Sequence, residues 1–162
     1  MKRDRRLRAL SDDHHQALVL ARRALTSVEH DEPGARRELW AEIVRRFSVE
    51  LTPHFAIEED LVLPAIEAAG ERELAERVRV EHAELRRLVQ EALEPTQERL
   101  SDFGTALRDH VRFEERVLFP ATQEKVSEEV LEAVAASCRR LHSAQGSVSD
   151  PGLTDPARES GS

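Results

Sequence analysis

The chain has 162 residues, enough for one domain with a sizeable single core, and mixes 40% hydrophobic with 35% charged residues. Leu, Ala, Glu and Arg dominate, Tyr is absent and Gly is sparse, which favours helices over a sandwich or barrel of short strands. A formal net charge of -8 argues against general nucleic-acid binding, which needs clustered positive charge.

The start, Met1 to Arg8, is locally basic and reads as a solvated helix start rather than an anion-binding arm. The first helix is predicted from about Leu7 to Val28, with Leu7, His14, Leu18, Ala21, Leu25 and Val28 on one stripe. A turn follows at Asp31-Glu32-Pro33-Gly34. The second helix is predicted from about Ala35 to Ala69, its stripe being Trp40, Val44, Phe47, Leu51, His54, Glu58, Leu61 and Ala65, and Gly70 closes it. The third stripe is Ala75, Val78, His82, Leu85, Val89 and Ala92, stopping near Glu94-Pro95. The fourth is Phe103, Leu107, His110, Glu114, Val117 and Ala121. Pro53 should kink the second helix, and Pro64 and Pro120 should bend or end the helices that carry them.

These stripes step by three and four residues and the connections are short, so the expected fold is all-α, an antiparallel up-down four-helix bundle. A short extra helix, about Ser127 to Leu141, should flank it. Residues 1–144 form one domain on this reading, and 145–162, rich in Gly, Ser, Pro and Asp, a disordered tail. Cys138 is the only cysteine, so no internal disulfide and no paired-cysteine metal site can form; it reads as structural and fits a reducing, cytoplasmic setting. No apolar run approaches the roughly 20 residues of a membrane helix.

The chain repeats itself at an offset of 56 residues: His54-Phe-Ala-Ile-Glu58-Glu59 through Pro64-Ala65 matches His110-Val-Arg-Phe-Glu114-Glu115 through Pro120-Ala121. The first and third helices each add one histidine after an acid, Asp13-His14 and Glu81-His82. His and Glu four residues apart share a helix face, roughly 6 Å apart along the axis. Counted from the predicted turns, His14, His54, Glu58, His82, His110 and Glu114 fall in one slab of the bundle. Buried carboxylates need a positive partner, and a metal supplies it. Six donors exceed the four of a structural zinc and favour two metals, with iron the best match to mixed imidazole and carboxylate ligation and manganese or zinc the weaker fits. His14 shares the apolar stripe and is preferred to His15; His30 and His142 lie off the slab and read as surface residues. Glu59, Glu115, Asp13, Glu81 and Asp109 read as solvated charges rather than groups orienting the histidines, and Trp40 as core packing.

The set Asp13-His14, His54-Phe-x-x-Glu58-Glu59, Glu81-His82 and His110-x-x-x-Glu114-Glu115 resembles the hemerythrin-like, or HHE cation-binding, family over about residues 7 to 123. The resemblance implies a non-haem di-iron centre with bridging carboxylates and an exchangeable oxo or hydroxo ligand. Oxygen-carrying hemerythrins supply two histidines one turn apart on the third helix; here Val78 and Arg86 flank His82, as in bacterial members. The missing ligand favours reactivity with O2, peroxide or NO over simple carriage. A di-iron oxidase acting on a small-molecule substrate, with catalase- or peroxidase-like turnover as another enzymatic form, and an iron-binding or sensing module are the alternatives. No nucleic-acid or membrane partner is expected, and the absence of Tyr excludes a tyrosyl radical.

Overall fold

A computed structural model describes residues 2–27, 33–90 and 95–147. Among them there is helix and no strand. Eight α-helical segments are present: α1 (Arg8–Thr26), α2 (Pro33–Arg46), α3 (Thr52–Ile57), α4 (Leu63–Ala68), α5 (Arg72–Gln90), α6 (Gln97–Phe113), α7 (Phe119–Lys125) and α8 (Glu128–Ser147). They make five helical rods. The second rod joins α2, α3 and α4 through π-helical turns at Phe47–Leu51 and Glu58–Val62, and the fourth joins α6 and α7 through a third at Glu114–Leu118. Helix α1 packs along α6, α5 along α4 and α6, and α8 lies against α1, α3 and the π turn at Glu58–Val62.

The π turns explain how three prolines sit inside rods that neither end nor break. A proline donates no amide hydrogen and crowds the carbonyl four residues back. Here the residue just before each one donates to the fifth carbonyl back: Thr52 to Phe47, Leu63 to Glu58 and Phe119 to Glu114. The widened turn makes room for the ring, and freed carbonyls find other donors. Val49 O, four residues before Pro53, accepts from Gln145 Nε2 at 3.0 Å, and Glu115 O accepts from Arg3 at 2.8 Å.

Each π turn also inserts one extra residue per turn, which rotates the inward face. The predicted inward positions Leu61, Ala65, Val117 and Ala121 give way to Val62, Ile66, Leu118 and Thr122, all 0% exposed. Val44 and Val117, placed on the inward stripes by simple spacing, are exposed, and Ile43 takes the core position in α2. Elsewhere most of the stripe holds: Ala75, Val78, His82 and Leu85 are buried on α5, and Trp40, Phe47 and Leu51 on the second rod, whereas Leu18, Leu25 and Val89 are half-buried and Ala17, Ala24 and Leu88 take the core positions.

Two ends are also redrawn. The last helix is twenty residues long, running through Ser147, so it is neither short nor finished at Leu141, and it takes in the first residues assigned to the tail. Residues 148–162, with Val28 of the first predicted stripe, His30, the predicted turn at Asp31-Glu32, Ala92 and Glu94, lie outside the described residues. Gly70 closes the second rod as expected: with φ of +96° it donates to Glu67 O while Glu71 donates to Ile66 O, the paired bonds of a glycine-terminated helix. Thr96 Oγ1 caps α6 by accepting from the amide of Arg99 at 3.1 Å.

Two apolar clusters fill the interior. One gathers Leu20, Trp40, Ile43, Phe47, Phe55 and Phe103 among others; the second gathers Leu7, Leu10, Leu63, Ile66, Phe119 and Val134 with Cys138. Cys138 is buried, as a structural thiol should be, and burial pushes it up to about 11. No helix among the described residues is long and apolar enough to cross a membrane.

Gly104 lets α6 approach α1 closely. A Cβ there would meet Leu25 Cγ at 2.8 Å, Ala21 O at 2.9 Å and Ala24 Cβ at 3.2 Å. Because one obstacle is backbone, Gly104→Ala should destabilise by about 1–3 kcal/mol in urea unfolding. Gly146→Ala, with open space around it, should be neutral or stabilising by up to about 1 kcal/mol.

Candidate metal centre

All six sequence-predicted residues meet between the two apolar clusters. His14, His54, Glu58, His82, His110 and Glu114 are each at most 3% exposed. His14 is the inward member of its pair, and His15 is exposed. The repeat places the same parts twice: each glutamate opens a π turn, and the histidine four residues before it lies in the preceding α-helix.

The donor atoms fall into two groups that share the glutamates. His14, His54, Glu58 and Glu114 offer one set of atoms within 4.8 Å of one another, and Glu58, His82, His110 and Glu114 offer the other. Glu58 presents Oε1 to His54 Nε2 at 3.4 Å and Oε2 to His82 Nε2 at 3.3 Å. Glu114 presents Oε2 to His14 Nε2 at 3.0 Å and Oε1 to His110 Nε2 at 3.2 Å. Each carboxylate therefore spans both groups, one oxygen to each side.

Around these six runs a closed ring of carboxylates. Asp13 Oδ2 lies 3.1 Å from His54 Nδ1, Glu59 Oε1 lies 2.8 Å from His82 Nδ1, Glu81 Oε2 lies 2.9 Å from His110 Nδ1, and Glu115 Oε1 lies 2.8 Å from His14 Nδ1. The four rods that carry the histidines each hand a carboxylate to the histidine of the following rod, and the last returns to the first. An acid one residue from an inward residue sits about 100° around its helix, which aims it at a neighbour. Asp13, Glu59, Glu81 and Glu115 are thus orienting groups and not the solvated charges expected of them; Asp109, exposed and bonded to half-buried Arg108, does remain on the surface. A Nδ1–H donated to a carboxylate fixes the ring and turns Nε2 inward as an electron-pair donor.

A second layer of cations braces the ring. Arg3 bonds Glu115 at 2.6 Å, Arg77 bonds Glu81 at 2.7 Å, and Arg86 bonds Glu59 through both of its terminal nitrogens at 2.8 and 3.0 Å. Asp13 instead meets His142, whose Nε2 lies 2.9 Å from its Oδ1. Arg3 and His142, expected to be merely solvated, are therefore bonded to the ring. The legible signal for the ring was the acid beside each of His14, His82, Glu58 and Glu114; none marked the outer cations.

The inner cluster offers a set of donors that could hold a cation. Both glutamates' oxygens and the Nε2 atoms of His82 and His110 are buried without a hydrogen-bond partner. His14 Nε2 and His54 Nε2 lie 3.1 Å apart, and with both Nδ1 atoms serving as donors two lone pairs face each other. Positive charge resolves both conflicts, as metal ions or as protons. Phe55 stacks on the His82 ring at 3.8 Å and Phe119 on the His14 ring at 5.1 Å, closing the cluster with apolar walls.

Without metal, protons take the cations' place. Burial favours the neutral imidazole, yet the Glu58 charge and the bond to Asp13 raise His54 to about 10. Burial is likewise outweighed at His82 by Glu114 and Glu58, raising it to about 9, and at His14 by Glu114 and Glu115. The partners move oppositely: against burial, His54 and His82 hold Glu58 well below the usual carboxylate range, and His14 with Arg3 helps bring Glu115 to about 2.

A family model for the hemerythrin HHE cation binding domain matches residues 6–122. Searches of curated proteins and of solved structures returned no match.

A histidine raised in the folded state stabilises below its unfolded pKa of about 6.5, and that stability is lost as pH rises through the folded value. Metal-stripped protein should therefore lose stability between about pH 7 and pH 10 as His82 and His54 titrate. Urea midpoints across that range should fall more steeply in the wild-type protein than in Glu58→Gln, which lacks the charge holding those protons.

Proposed function

Because the chain belongs to the hemerythrin HHE cation-binding family, we propose that its buried cluster holds two iron ions and reacts with O2, peroxide or NO. The carrying observation is the pair of shared glutamates. Glu58 and Glu114 each turn one oxygen to either histidine pair, so each metal would have two imidazole nitrogens and two carboxylate oxygens from the protein. His14 and His54 would hold one ion and His82 and His110 the other. The four rods that supply them would alternate up and down as an antiparallel bundle.

The donor set supports iron. Imidazole with carboxylate suits iron, and bundle cores are a recurring home of paired-metal carboxylate sites. Four protein donors per ion leave further positions for a small ligand on an ion that takes more than four; a zinc pair would be closed by the same four. A bound iron pair supplies redox and Lewis-acid chemistry. The chain's own residues set the conditions for it. The Nδ1 bonds keep every Nε2 directed at the centre, and Phe55 and Phe119 with the flanking clusters exclude bulk water. With no ligand residue more than 3% exposed, a small diatomic or peroxide fits better than an organic substrate.

Anaerobic loading should give two irons per chain. Glu58→Ala or Glu114→Ala should reduce this to one or none, since each removes a donor from both groups. Exposure of the reduced, loaded protein to O2, peroxide and NO in turn should change its visible spectrum; two tightly held zinc ions and no spectral response would overturn the iron reading. Glu59→Ala should leave the stoichiometry intact but weaken metal affinity by about 10–100-fold, the usual cost of losing a group that orients a ligand histidine, read by competition with a chelator.

A further inference from the structure

Three corners of the carboxylate ring are held by arginine, and one is not. At that corner Asp13 bridges two histidines, His54 on α3 through Oδ2 and His142 on α8 through Oδ1. His142 side-chain exposure is 39% against 26% for Asp13, and a surface cavity of about 420 Å3 lined in part by Arg45, Val49, Glu50 and Gln145 opens beside them.

Helix α8 lies wholly beyond residues 6–122 matched by the family. It is nonetheless fastened to the metal-bearing rods along one face. Leu131, Val134 and Cys138 are buried in the second apolar cluster. One turn further His142 reaches Asp13, and Gln145 bonds the Val49 carbonyl, four residues before Pro53. The spacing of 131, 134, 138, 142 and 145 is one helical stripe. Its polar end meets the ring where no arginine does.

The geometry points to α8 as a working part of the metal centre: His142 is a positioning residue that holds Asp13, and through it the His54 ring, in the orientation that turns His54 Nε2 toward the metal. This rests on the metal-binding reading above. A carboxylate bonded on one side only can rotate about its own side chain; a second bond from the opposite side fixes it. By linkage, metal bound through His54 must in turn favour the docked α8 by the same factor that α8 strengthens metal binding. The C-terminal helix thus carries the state of the centre to the surface.

The full-length protein tests this with His142→Leu, which removes the bond, His142→Gln, whose amide nitrogen can replace Nε2 as donor, and Gln145→Ala, which removes the neighbouring bond to Val49 O while the buried Leu131, Val134 and Cys138 keep α8 docked and His142 on Asp13. Ferrous iron is loaded anaerobically and its release to a ferrous chelator is timed. His142→Leu should release iron about 3- to 10-fold faster, below the range for a group bonded directly to a ligand histidine. His142→Gln and Gln145→Ala should stay near the wild-type rate. In the metal-stripped protein, nitrogen-edited spectra of the imidazoles should show the His54 ring proton exchanging faster in His142→Leu, with His82 and His110 unmoved. Equal release from His142→Leu and wild type overturns the proposal, as does equal release from the Leu and Gln variants, or from Gln145→Ala and His142→Leu. If the wild-type chain takes up no iron, the metal reading fails, and the His54 spectrum alone decides whether His142 positions that ring.

Discussion

Two glutamates with no solvent exposure, Glu58 and Glu114, sit at the centre of this protein, and much of the rest can be traced to them. An ionised carboxylate in an apolar interior is costly unless its charge is met there. Four histidines surround the pair, four further carboxylates surround the histidines, and an outer layer of cations surrounds those. The layers alternate in character because each solves the problem set by the one inside it. They do not close the account on their own. Six carboxylates face only three guanidinium groups, so the interior retains a demand for positive charge that protons or metal ions must meet.

That demand was legible in the sequence because it is written at fixed helical spacing. His54 with Glu58 and His110 with Glu114 repeat at one offset, and His14 and His82 fall at the matching depth, so spacing and chain symmetry together found the inner six. The limits of legibility are equally physical. Simple periodicity assumes 3.6 residues per turn, and each π turn breaks that assumption by one residue. It therefore named Leu61 and Val117 where Val62 and Leu118 face the core. The prolines that seemed to threaten the rods were the visible trace of those turns.

The orienting carboxylates were seen and misread for another reason. Each acts on a histidine of a different rod, at separations of 23 to 101 residues, so its partner cannot be found by looking along its own helix. Asp13 stands next to His14 and serves His54; Glu81 stands next to His82 and serves His110. Adjacency in sequence suggested the wrong pairings, or none. The length of the last helix was missed because Gln145, Gly146 and Ser147 look like the start of a tail, whereas Gln145 is bonded to the second rod.

The closed ring has a further consequence for assembly. No rod in this bundle orients its own histidine. The first two rods contain His14, His54 and Glu58, yet lack Glu115 to hold His14; the next two contain His82, His110 and Glu114, yet lack Glu59 to hold His82. Each half thus carries a histidine that only the other half can set. The chain looks like a duplication of one competent unit, but its two halves are complementary parts, and a fully oriented centre exists only once the ring is shut.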